Sequence, residues 1–189
     1  MTQQTVVTLN SIFQLKITIK NCKPPIWRRI QVRDDTSLSK LHRILQIIFW
    51  WTDTHLHSFT IDRREYGVPS KEDFHPVINE RNFILRHVIH QEKQRFLYTY
   101  DFGDGWEHEI LVEKMLPAEV GVHYPRCIAG KRKRPPEDCG GPWGYMDLME
   151  IRKNPDHPDY AERMGWLGDV YDPEEFDIDL INGSLKRLR

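Results

Sequence analysis

The chain has 189 residues, with 27 Lys plus Arg against 28 Asp plus Glu and a formal net charge of -1. No overall field therefore draws the whole molecule onto nucleic acid or an anionic membrane, and any such contact has to be local. Apolar residues at 39% and charged residues at 29%, with six Trp, seven Tyr and eight Phe, belong to a chain that buries a core, and the length predicts one domain over residues 1–189.

The elements follow in order. Leu15, Ile17 and Ile19 alternate with polar residues and predict a strand over 12–19, and a second apolar run from Ile26 to Val32 follows "NCKPP", making an antiparallel pair. Leu38, Leu41, Leu45 and Ile48 then repeat at helical spacing, with Thr36 or Ser37 placed to cap the first turn, and the helix ends near "WWTD". His57, Phe59 and Ile61 share one face of a short strand, and "REYGVP" supplies a turn and an edge strand. The segment 74–94 yields no assignment. Phe96, Tyr98 and Tyr100 alternate in a strand that "DFGDG" breaks, and Trp106 to Glu113 returns as its hairpin partner.

From Pro117 to Pro142 the composition predicts a long Pro/Gly loop. Beyond it Tyr145, Leu148 and Met149 predict a short helix stopping at "NP". A second is opened by Pro158 and closed by Gly165 or Gly168, and a third is capped by Asp177 or Asp179 and carries Ile181, Leu185 and Leu188. Strands with one packed helix first and helices last predict an α+β fold with an antiparallel-rich sheet.

Nothing at the polar start "MTQQTVVTLNSIFQLKITIK" has the form of a secretion signal, and no stretch approaches a membrane span. Three cysteines, Cys22, Cys127 and Cys139, are too few for a disulfide framework. A cytoplasmic location and no membrane partner are the expectation.

The motifs "LHRILQIIFWWTDTHLHSFTI", "YTYDFGDGWEHEI", "PRCIAGKRKRPPEDCGGPWGY" and "NPDHPDYAERMGWLGDVYDPEEFDID" resemble the plasmid pRiA4b ORF-three-like family, also labelled as the passenger TnpR protein of an insertion element. The resemblance implies an association with plasmids and mobile elements and carries no assigned activity. A serine recombinase needs a nucleophilic serine beside an arginine cluster and a DNA-reading helix-turn-helix, and neither is recognisable. Where members of the family often carry a cysteine before "PPED", this chain has Arg134, so a cluster of three thiolates on that loop is not available.

Two constellations carry chemistry. Strand alternation turns His57 and His108 toward the core near strand ends, and if the strands are neighbours the two approach each other. Asp101 and Asp104 on the glycine turn can then complete a divalent-metal or acid–base cluster, with His55 as a third imidazole and Glu137 to position water. The competing structural reading makes the imidazoles hydrogen-bonded core residues and the aspartates closures of the "DFGDG" turn. Lys131, Arg132, Lys133 and Arg134 form a cationic run that can meet a phosphate or nucleic acid, or can pair with Glu137 and Asp138 on the same loop. Cys127 and Cys139, with eleven residues between them, lack the short paired spacing of a zinc knuckle.

Three functions remain. The leading one is a mobile-element-associated accessory or binding module acting near nucleic acid. The second is a metal-dependent hydrolase of the phosphodiester class, and the third a protein-interaction domain using exposed tryptophans.

Overall fold

The computed structural model describes residues 11–71, 75–168 and 171–188. An eight-stranded sheet runs in the order β5-β4-β3-β6-β7-β1-β2-β8, built from β1 (Ser11–Ile19), β2 (Trp27–Arg33), β3 (His57–Ile61), β4 (Arg64–Gly67), β5 (Ile78–Asn79), β6 (Arg95–Tyr100), β7 (Trp106–Pro117) and β8 (Arg126–Lys131). Every pairing is antiparallel except β4 with β5. Helix α1 (Leu38–Phe49) lies between β2 and β3 in sequence, and α2 (Gly141–Arg152), α3 (Tyr160–Leu167) and α4 (Ile178–Leu185) follow the sheet. The fold is α+β, as the sequence predicts.

Alternation sorts the strands into two faces. Phe13, Leu15, Ile17 and Ile19 of β1 are buried with Phe59, Ile61, Phe96, Tyr98, Ile110 and Val112, and α1 buries Leu41, Ile44, Leu45 and Ile48 in the same core. The opposite face is polar and tied by cross-strand pairs, Arg29 with Glu113 at 2.6 Å and Arg95 with Glu109. Ser37 caps α1 by accepting from Lys40 N–H at 3.1 Å, and Trp50 ends it in the left-handed region at φ 55°. The β3–β4 hairpin turns on Asp62 and Arg63, both at positive φ, as a tight two-residue connection requires.

Two expectations need correction. The stretch 117–142 is not one loop: Arg126–Lys131 forms edge strand β8, pairing with β2. Cys127 is buried and alternates with half-exposed neighbours there, a strand signal too short to stand out beside the charged run. The strands carrying His57 and His108 are not neighbours either, because β6 lies between β3 and β7.

Candidate functional site

His57 opens β3 opposite Tyr100, and His108 lies on β7 opposite Tyr98. The intervening β6 keeps the imidazoles apart, and Tyr98 is in ring contact with both, at 6.0 Å and 5.3 Å between centroids. His108 is fully buried, its Nδ1–H directed at the carbonyls of Trp106 (3.0 Å) and Tyr98 (3.3 Å). Burial pushes its pKa down to about 4, so it is neutral at physiological pH. Its Nε2 and the indole Nε1 of Trp106 are buried without hydrogen-bond partners among the described residues.

His57 meets a histidine the sequence analysis did not single out. His42, on α1, stacks on it with 3.4 Å between centroids and 3° between planes. His57 Nε2 lies 2.9 Å from Glu80 Oε2, a carboxylate only 2% exposed. His42 Nε2 lies 2.7 Å from Asp53 Oδ1, and its Nδ1 is 2.8 Å from the Tyr98 hydroxyl.

The proton positions follow from donors and acceptors alone. Asp53 N–H donates to Gln46 Oε1 at 3.1 Å, which orients that amide so that its Nε2 donates to Tyr98 Oη at 3.0 Å. Burial holds the Tyr98 phenol well above its ordinary pKa, so it keeps its proton and donates to His42 Nδ1. His42 therefore carries its proton on Nε2 and donates to Asp53, closing a ring that begins and ends on one aspartate. Burial, then the neighbouring His57, lowers the His42 pKa, with Asp53 opposing.

His42, Asp53 and His57 bring their ligand atoms within 4.8 Å of one another, so this group can hold a metal ion. They line a cleft of about 840 Å³ together with His55, Glu80, Arg43 and Arg81, a volume that suits a small molecule.

The remaining sequence candidates fall beside this cleft or away from it. Asp101 Oδ1 accepts from Gly103 and Asp104 N–H at 3.0 and 3.3 Å, closing the "DFGDG" turn. The Asp104 carboxylate has one buried oxygen without a hydrogen-bond partner among the described residues and does not join His57 in a ligand group there. Glu137 accepts from Tyr100 Oη and Thr52 Oγ1, both at 2.8 Å, and burial with the Glu137 contact raises Tyr100 to about 12. His55 stands between Asp101 and Asp138 in a second group that can hold a metal.

The cationic run is largely committed. Arg132 pairs with Glu174 at 2.8 Å and Lys133 with Glu175, in place of Glu137 and Asp138. Burial lowers the Arg134 pKa, and of the four only Lys131 is exposed. Burial also lifts Cys22 and Cys139 to about 12 and Cys127 to about 11, so the thiols stay protonated, and none joins a ligand group among the described residues.

His42 and Asp53 eluded sequence reasoning because His42 interrupts the apolar stripe of α1 and Asp53 reads as a helix stop. Glu80 lies in the unassigned segment. The signal that could have found them is the spacing of "WTDTHLH", which packs an aspartate and two histidines into five residues beside a helix bearing a third.

Fold and site together define an α+β sheet protein with a histidine–carboxylate cleft at one edge. The plasmid pRiA4b ORF-3-like family model matches residues 11–180, and the chain belongs to that family. It is similar to the uncharacterized protein y4hQ of Sinorhizobium fredii (strain NBRC 101917 / NGR234), 36% identical over 94% of this chain and 92% of that protein. The crystal structure of MM3350, a protein of unknown function from Methanosarcina mazei Go1, superposes with a TM-score of 0.84 at 39% identity, covering 91% of this chain and 98% of that one. No helix among the described residues is long and apolar enough to cross a membrane.

Proposed function

We propose that the cleft is a divalent-metal site and that the chain is a metal-assisted hydrolase, with phosphodiesters as its substrate class. The observation that carries this reading is the convergence of His42, Asp53 and His57 within 4.8 Å, with each imidazole held by its other nitrogen, His42 by Tyr98 and His57 by Glu80. Metal-bound histidines donate their other ring N–H to a fixed polar partner, as His57 can to Glu80; at His42 a cation on Nε2 would move the ring proton to Nδ1 and reverse the contact, so that Nδ1–H donates to Tyr98 Oη. The proton joining His42 Nε2 to Asp53 Oδ1 stands where a cation would enter.

Two imidazoles and one carboxylate suit zinc, manganese or ferrous iron and leave coordination positions for water. An ion held by His42, Asp53 and His57 would supply an acidified water as nucleophile and polarise a phosphoryl oxygen. Arg43 and Arg81 in the cleft wall match the anionic part of such a substrate. The nucleic-acid module draws less support, since Arg132 and Lys133 are already ion-paired. The protein-interaction reading draws on Trp143 and Trp166, 75% and 50% exposed.

The test is metal content after dialysis against zinc, manganese or anaerobic ferrous iron, followed by turnover of bis(p-nitrophenyl) phosphate. At least one equivalent of metal and measurable turnover are expected, with one equivalent lost and turnover reduced more than tenfold in His42→Ala and His57→Ala while the fold persists by circular dichroism. Metal bound without turnover removes the hydrolase and leaves a binding module. Metal no higher than in a chelator-washed control overturns the whole reading.

A further inference from the structure

Asp101 is only 8% exposed, and its Oδ1 is used by the turn that follows β6. Its Oδ2 accepts no hydrogen bond among the described residues and faces His55 Nδ1 at 3.7 Å. Across the same ring, Asp138 Oδ1 lies 3.5 Å from His55 Nε2. Both separations are longer than an N–H···O hydrogen bond. The imidazole is thus gripped between two carboxylates without bonding to either, and the ligand atoms of all three lie within 4.8 Å of one another.

The three residues arrive from separate segments that are braced against each other. Thr54 N–H donates to Tyr100 Oη at 3.2 Å, and Tyr100 Oη donates to Glu137, next to Asp138. The "PPEDCGG" segment is seated on the glycine turn so closely that a Cβ on Gly141 would come within 2.1 Å of the Asp104 carbonyl oxygen. Asp101 and Asp138 are therefore fixed near each other, and their mutual repulsion is relieved by a cation between them.

We propose that His55, Asp101 and Asp138 form a second divalent-cation position, reached from the same cleft, which His55 lines. The site is argued from its own residues, and only its part in hydrolysis rests on the function proposed above. One imidazole and two carboxylates make a harder donor set than that of His42, Asp53 and His57, so manganese is favoured here and zinc or iron there. Two cations along one cleft would give a phosphodiester more than one positive centre to bind.

The experiment is titration of the chelator-treated full chain with manganese, reading stoichiometry calorimetrically and by metal analysis. The wild type is expected to take two equivalents and Asp138→Asn one. Asp138 sits at φ 59°, a conformation asparagine also tolerates, so this variant leaves the backbone unstrained. His55→Gln should match it, and His57→Ala should lose the other equivalent. Two equivalents retained in both Asp138→Asn and His55→Gln overturn the second site. One equivalent lost in His57→Ala but kept in Asp138→Asn also overturns it, leaving the first site intact. One equivalent lost in Asp138→Asn but kept in His57→Ala removes the first site and supports the second.

Discussion

Acidification isolates His108. Its pKa is about 4 in the folded chain against 6.5 for a free imidazole, so the folded state stays neutral while the unfolded chain takes up a proton as the pH falls below 6.5. The unfolded state binds more protons across that window, and stability is lost from 6.5 down to about 4. Linkage gives a loss of about 2 kcal/mol between pH ~7.5 and pH ~5, and about 3 kcal/mol by pH ~4, against a total stability on the order of 5–15 kcal/mol. His108→Gln removes the titrating group, and it weakens the protein at neutral pH through the lost bonds to Trp106 and Tyr98. Its stability should then change less with pH than that of the wild type. His42, also shifted down, contributes slope to both proteins, so the quantity to read is the wild-type minus variant difference. Urea unfolding at a series of pH values measures it. Parallel curves for the two proteins would refute the burial argument.

Trp106 is fully buried beside Trp51, with 5.9 Å between ring centroids, and Trp106→Ala should cost about 3–5 kcal/mol, visible as a large drop in thermal midpoint. An unchanged midpoint contradicts a structural role. Neutralising Lys131, Arg132, Lys133 and Arg134 together should lower retention on heparin only slightly, because Arg132 and Lys133 already face Glu174 and Glu175. A large, strongly salt-dependent loss would restore the nucleic-acid reading.

The sheet was legible wherever alternation persists for several residues, as in Leu15–Ile17–Ile19 and Phe96–Tyr98–Tyr100, and α1 was legible from its stripe and from a cap at Thr36 or Ser37, of which the fold uses Ser37. Edge strands were not. β5 has only two residues, and β8 alternates too briefly beside a charged run to reveal its register. The site was half legible for a related reason. Alternation turns His57 and His108 coreward, but it says nothing of which strand lies between them, and the insertion of β6 directs His57 to His42 and Glu80 instead. Such partners are set by tertiary packing: Glu80 opens a short 3-10 segment, where no periodicity marks it.

The central claim is that His42, Asp53 and His57 hold a cation. The most direct measurement is a crystal structure of the full chain grown with manganese or zinc, read from anomalous scattering. The account predicts a peak within coordination distance of His42 Nε2, an Asp53 carboxylate oxygen and a His57 ring nitrogen, with the His42–Asp53 hydrogen bond broken and Tyr98 and Glu80 still on the far nitrogens. A map without a peak there, with His42 still bonded to Asp53 at saturating metal, would contradict it.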